Sequence, residues 1–246
     1  MTARPVDSGT LYLVASPIGN LEDITCRGIA VLRQVDRIAC EDTRRARILL
    51  KRYELDTPLE VYHDRNQRRV TPKLMRILRA GEQIALLTDA GSPGISDPGF
   101  TLVRAAIAAG IPIVPVPGPS AVICAVIASG LPSERFAFEG YLPQSTAKRR
   151  RRIAALQTEE RTVVLFVSPH RCARELAELA AALGDRPACL AREMTKLHEE
   201  FRRTSLTDLA GWARESRVRG EITLIIGGSQ AAVSESAHSD GKSDRR

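Results

Sequence analysis

The chain of 246 residues predicts an α/β protein of two domains, and three observations carry that prediction. Short apolar runs alternate with helical segments at the spacing of strand–helix–strand units, which gives a mainly parallel sheet with helical crossovers. Loops rich in glycine and proline follow several of those runs. After PVPGPSA (115–121) the texture changes and a second series of strands and helices begins. An N-terminal α/β domain is therefore expected over 9–117 and a C-terminal one over 118–228. The stretch 229–246 is Ser, Ala, Asp and Lys without an apolar face, and is expected to be a disordered tail.

In the first domain LYLVA (11–15) reads as a strand, SPIGN (16–20) as a turn, and a helix starts at about Thr25. RIAC (37–40) is the second strand, followed by a helix from Thr43 to about Tyr53. LEVY (59–62) is the third, with a helix over 71–80, and QIALL (83–87) is the fourth. The loop TDAGSPGISDPG (88–99) then leads into a helix over 100–109. IPIVPV (111–116) is a fifth strand whose prolines place it at an edge or make it irregular. The second domain opens with a small-residue helix over 121–129 and the run FAFEGY (136–141). Further strands fit 162–167, 187–191 and 221–226, with helices over 172–183 and 206–214.

Composition narrows the class. A hydrophobic content of 43% builds a proper core, while no apolar run reaches the ~20 residues of a membrane helix and no signal-peptide core is present. The expectation is a soluble cytoplasmic protein. Five cysteines (Cys26, Cys40, Cys124, Cys172, Cys189) lie scattered with no C-x-x-C pair, and the four histidines lack ligand spacing, so neither a disulfide framework nor a metal is expected.

Charge points to a partner. The net charge of +7 is concentrated in three runs: Arg44, Arg45 and Arg47; Arg65, Arg68 and Arg69; and Lys148, Arg149, Arg150, Arg151 and Arg152. Any one run reads equally well as a solvated helix face; three together favour nucleic-acid phosphates. Aromatic residues are only 4%, so backbone contact is expected rather than base stacking. The run 148–152 falls in the first turns of a helix, where the dipole disfavours cations, and folding alone gives no reason to collect five of them there.

The long loop 88–99 raises the question of a ligand. It follows the carboxyl end of a strand, where open α/β sheets bind ligands, and Gly91, Gly94 and Gly99 permit close backbone approach. The dinucleotide pattern G-x-G-x-x-G is absent after the first strand, and Gly241-Lys-Ser243 has no strand before it, so it only imitates a phosphate loop.

Taken in order, SPIGN (16–20), DAGSP (89–93), PGPSA (117–121) and GEITL (220–224) resemble the tetrapyrrole methylase family of S-adenosylmethionine-dependent methyltransferases. EDTR (41–44), the full loop 88–99, SGLP (129–132) and SPHR (168–171) are similar to the branch of that family that modifies ribosomal RNA. The resemblance covers about residues 9–228. It implies two α/β domains with a cofactor cleft between them, a homodimer, and methylation of a cytidine ribose 2′-hydroxyl in the decoding region of 16S rRNA, free or in the small ribosomal subunit. By the same resemblance S-adenosylmethionine contacts Pro17, Asp89, Ser92, Ile95, Ser120 and Ala121, with Phe166, Val167 and Met194 from the second domain. Where relatives are expected to carry His-x-x-Asn-Glu, this chain has an amide at Gln67, so no catalytic role passes to that position.

Glu41, Asp42 and Arg44 are the candidate catalytic residues: Glu41 or Asp42 orients or deprotonates the hydroxyl while Arg44 meets a phosphate. Asp42 or Thr43 serves equally well as a helix cap, and Asp89 also reads as a loop-capping carboxylate. Arg45 and 148–152 are the candidate RNA contacts. Two other readings stand beside the RNA enzyme: a family sibling acting on a tetrapyrrole or a protein side chain, and an RNA-binding module without catalysis.

Overall fold

The computed structural model describes residues 9–231, so most of the expected tail and its Gly241-Lys-Ser243 lie outside the described residues. The chain divides into two compact units, the first ending at Ser120 and the second starting at Ala121.

Five strands form the first sheet: β1 (Leu11–Val14), β2 (Arg37–Cys40), β3 (Leu59–Val61), β4 (Ile84–Leu87) and β5 (Ile113–Val116), in the order β3-β2-β4-β1-β5. Every pairing is parallel, so all five carboxyl ends share one rim. The crossovers are α1 (Cys26–Gln34), α2 (Thr43–Arg52), α3 (Gln67–Arg79) and α4 (Phe100–Ala108). Alternation sorts the strand residues between two cores, as a sheet covered on both faces requires. Val14, Ile38, Cys40, Ala85 and Leu87 pack with Leu32, Leu49 and Leu50, whereas Leu11, Ala39, Ile84 and Leu86 pack with Leu74, Leu78 and Leu102. Thr25 caps α1 by accepting from Gly28 N–H at 3.0 Å.

Two elements differ from expectation. α3 begins at Gln67 rather than at 71, because Val70 and Leu74 are both buried one turn apart and draw the basic segment before Pro72 into the helix. The fifth strand is shorter than expected and lies at the edge, where Pro115 removes no central ladder bond.

The second unit holds α5 (Ala121–Ser129), β6 (Phe136–Tyr141), α6 (Thr146–Ala155), β7 (Thr162–Val167), α7 (Cys172–Leu183), β8 (Pro187–Arg192), β9 (Glu200–Ser205), α8 (Leu206–Glu215) and β10 (Ile222–Ile226). The sheet order is β6-β7-β10-β8-β9; only β6 and β7 are parallel. Val163, Leu165, Leu190 and Leu224 face α6, α7 and α8, while α5 covers β8, β9 and β10 on the unit's remaining side. β9 (EFRRTS) escapes sequence reading because its charges alternate with no apolar face; Arg192 bridges to Glu200 at 2.9 Å and Arg202 to Glu200 at 2.8 Å across and along this edge.

Candidate functional site

Parallel strands deliver the loaded loops to one rim. The loop after β1 is tied to the loop after β4 by a two-residue bridge: Ser16 N–H donates to Gly91 O at 2.8 Å, and Gly91 N–H donates to Ser16 O at 3.0 Å. The Ser16 hydroxyl donates to Thr88 O at 2.6 Å, and the Thr88 hydroxyl donates to Gly91 O at 3.0 Å. Gly91 holds φ 73°, in the left-handed region, and a Cβ there would face Ile18 at 3.8 Å and Pro119 O at 4.0 Å. Three loops, after β1, β4 and β5, therefore meet at this glycine. Gly118 packs against β1 so closely that a Cβ would stand 3.0 Å from Ala15 Cβ.

Pro17 is buried in this cradle, Ser92 and Ser120 are half-buried, and Ile95 is exposed. Gly91 itself is buried with its N–H and C=O both bonded, so the accessible surface of this cradle lies at the half-buried Ser92 and Ser120 and the exposed Ile95. Pro17, Asp89, Ser92, Ile95 and Ser120 thus stand on one rim of the first unit, while Ala121, Phe166, Val167 and Met194 belong to the second.

Beside the cradle, at the end of β2, lie two adjacent carboxylates with opposite character. Asp42 is the N-cap of α2, accepting from Arg44 N–H at 2.8 Å, and the Arg44 guanidinium clasps its Oδ2 at 2.6 Å. The side-chain and backbone bonds from Arg44 hold the Asp42 carboxyl down at about 2, so it stays ionised and is a weak base. Glu41 is partly buried, and burial first, then the charges of Asp89 and Asp64, push its carboxyl above the ordinary value. Asp89 itself accepts from Asp42 N–H at 3.1 Å and faces Arg45 Nε at 3.5 Å, so it ties the β2 and β4 loops together. Burial beside Asp89 and Asp42 drives the Cys40 thiol up to about 12, which removes it as a nucleophile.

In the second unit Val167 lines an open groove of about 610 Å³ with Tyr141, Leu142, Ser168, Arg171 and Gly220. Phe166 packs edge-on to Phe138 with ring centroids 5.0 Å apart, and Met194 is buried in the β8–β9 connection. Arg171, the last residue of the SPHR motif, places its Nε 3.2 Å from the fully buried Glu175, whose carboxyl burial pushes upward. No sequence pattern marks that pair beyond its i, i+4 spacing.

The basic run of α6 requires a correction. Arg149, expected to meet RNA, is only 1% exposed. Its guanidinium is bidentate to Glu178 at 2.6 and 2.9 Å and donates to Gln144 O at 2.9 Å and Pro143 O at 3.3 Å. The helical period turns this one residue of the run inward, where it joins α6 to α7. Arg152 pairs with Glu139 of β6. Lys148, Arg150 and Arg151 remain exposed, with no ion pair among the described residues.

Residues 10–210 match the family model described as Tetrapyrrole (Corrin/Porphyrin) Methylases. The chain belongs to the tetrapyrrole methylase family. Within that family it is 45% identical over 227 residues to "Ribosomal RNA small subunit methyltransferase I" of Halalkalibacterium halodurans, covering 92% of this chain and 78% of that protein. It is 42% identical to the protein of the same name from Thermotoga maritima, covering 90% of this chain and all of that one. A uroporphyrin-III C-methyltransferase from Thermus thermophilus, solved with S-adenosylhomocysteine, shares the fold at a TM-score of 0.62 and 21% identity, over 90% of this chain and 98% of that one. Among the described residues no helix is long and apolar enough to cross a membrane, and no group of three His, Cys, Asp or Glu side chains gathers as a metal site.

Proposed function

We propose that this tetrapyrrole methylase transfers a methyl group from S-adenosylmethionine to the ribose 2′-hydroxyl of a cytidine in the decoding region of 16S rRNA, acting as a homodimer in the cytoplasm. The observation that carries the reading is the placement of Glu41 at the carboxyl end of β2, where the neighbouring Asp42 N–H donates to Asp89 of the β4 loop that holds Gly91. The names of relatives at 42–47% identity support ribosomal RNA as the substrate. Exposed Phe100 and Ile107 on α4 offer apolar surface for a second copy.

The cofactor supplies an electrophilic sulfonium methyl whose thioether leaving group needs no acid. What falls to the protein is alignment and removal of one proton. Pro17, Ser92, Ile95, Ser120 and Ala121 are the residues to hold the cofactor, with Phe166, Val167 and Met194 from the second unit. Glu41 accepts the hydroxyl proton; a positioned base of this kind contributes about 10²–10⁴-fold. Asp42 is held too acidic for that task and instead fixes Arg44 and the start of α2. Asp89 keeps the β2 and β4 loops in register. Lys148, Arg150 and Arg151 add phosphate contacts.

Incubation with methyl-labelled S-adenosylmethionine separates the readings. Label at a cytidine ribose in small ribosomal subunits or free 16S rRNA supports this one. Label confined to a tetrapyrrole or to protein supports a family sibling, and RNA binding without label supports a module.

A further inference from the structure

The three basic runs end in different states. On α6 two of five cations are spent on Glu178 and Glu139. At the start of α2, Arg44 and Arg45 face Asp42 and Asp89. Arg65, Arg68 and Arg69 are exposed and form no ion pair among the described residues, and the same holds for Arg47 and Lys51 on α2.

Register brings the connection that carries Arg65 alongside the one that carries Glu41. β2 and β3 run parallel with Cys40 opposite Val61, and Tyr62 N–H donates to Cys40 O at 2.7 Å, so the chain leaving β3 starts alongside the chain leaving β2. The connection is pinned by reciprocal bonds: His63 N–H donates to Asn66 Oδ1 at 2.9 Å, and Asn66 N–H donates to His63 Nδ1 at 3.2 Å. Asn66 Nδ2 also donates to Val61 O at 3.0 Å, and Gln67 Nε2 donates to Asp64 Oδ1 at 3.1 Å. These bonds fix the backbone of the loop that carries Arg65 and leads into Arg68 and Arg69. Arg68 and Arg69 occupy the first turn of α3, which contains no acid, so the helix dipole opposes them and folding gains nothing from their charge. On the neighbouring α2, Arg47 and Lys51 lie one turn apart along an open groove of about 700 Å³ that is also lined by Glu54 and Asp56.

We propose that Arg65, Arg68 and Arg69, with Arg47 and Lys51, form a phosphate track that grips the RNA backbone flanking the nucleotide delivered to Glu41. The inference rests on ribosomal RNA being the substrate. Arg44 and Arg45 are committed to Asp42 and Asp89, so cations offset to one side are the ones left to hold a phosphodiester chain while leaving the ribose at Glu41. Five such groups spread over two helices and a loop suit a backbone with repeated charges rather than a single small anion.

The test compares the wild type with the Arg65→Gln/Arg68→Gln/Arg69→Gln variant on unmethylated small ribosomal subunits and on a 16S rRNA fragment across a salt series. The expected result is at least about a tenfold fall in kcat/KM and a shallower log–log salt slope. The slope should shrink by up to about 0.9 for each phosphate no longer neutralised on a duplex, or ~0.7 on a single strand. S-adenosylmethionine affinity and melting temperature should not change, and the corresponding triple lysine variant should recover most of the activity. Unchanged kcat/KM and salt slope overturn the track. So does a fall that lysine does not rescue and that accompanies a lower melting temperature. If the glutamine triple fails to fold, Arg47→Gln/Lys51→Gln carries the same expectation and the same overturning result. Failure of the wild type to label RNA at all refutes the substrate reading instead.

Discussion

The two sheets each have five strands, but they differ in where their charged loops emerge. In the first, all strands are parallel, so the strand-to-helix loops that carry Glu41, Asp42, Asp89 and Arg65 leave from one rim. There Glu41 stays partly buried with its pKa raised, and Arg65, Arg68 and Arg69 stay exposed and outside any ion pair among the described residues. In the second, mixed strand directions split the loops between the two ends of the sheet, and several charges are paired internally while Lys148, Arg150 and Arg151 stay exposed and outside any ion pair among the described residues. Arg149 binds Glu178, Lys196 bridges Glu193 and Glu221, and the buried Arg186 donates to the carbonyls of Leu183, Leu156 and Gln157. A basic run in sequence is therefore no measure of a binding surface; helical phase and nearby acids decide which of its members remain available.

The comparison is broken most severely at Glu41. Glu41→Gln should lower turnover on small ribosomal subunits by about 10²–10⁴-fold while calorimetry shows S-adenosylmethionine affinity unchanged. Because burial raises the Glu41 pKa in the folded chain, its ionised form opposes folding at neutral pH, and that cost disappears as pH falls through the folded pKa. Glu41→Gln should accordingly keep or raise the melting temperature at neutral pH. Loss of stability together with activity would make Glu41 a structural group.

Next in size is Arg149. Arg149→Ala removes one partner of a buried pair and should cost about 3 kcal/mol, the low end of the usual range because Glu178 is 26% exposed. Arg150→Ala, one residue along, should stay within about 0.5 kcal/mol in the same urea titration. Equal effects would erase the distinction drawn between inward and outward members of the α6 run.

Smaller still are changes at Asp42. Asn caps a helix as well as Asp does, so Asp42→Asn should leave turnover close to wild type, with Asp42→Ala lowering the melting temperature more than Asp42→Asn. The stability that Asp42 contributes through Arg44 is complete above its unfolded pKa of ~3.9 and is lost as pH falls through about 2. The mildest expected effect follows replacement of Lys148, Arg150 and Arg151 by Gln: a shallower salt dependence of RNA binding, with kcat at saturating RNA retained.

Much of the first unit was legible because its strands are buried on both faces and read as continuous apolar runs, as Ile84–Leu87 does. Caps helped as well: Thr25 and Asp42 mark helix starts by chemistry that needs no tertiary partner. What stayed hidden depends on long-range partners. β9 is stabilised by pairing with β8 and by Arg192 and Arg202 on Glu200, none of which shows as an apolar pattern. Arg149 looks like its four neighbours until Glu178, 29 residues away, is in place. Glu41 and Asp42 are equal candidates in sequence, and only the Arg44 clasp on one and the burial of the other separates them.

The most direct test is the pH dependence of single-turnover methylation of small ribosomal subunits, measured for the wild type and for Glu41→Gln. The wild-type rate should rise with pH through an acid limb above the ordinary glutamate value, since Glu41 must be ionised to take the hydroxyl proton. The variant should be slow and lack that limb. A Glu41→Gln enzyme that kept both the wild-type rate and the limb would contradict the assignment of the chemistry to the β2 rim.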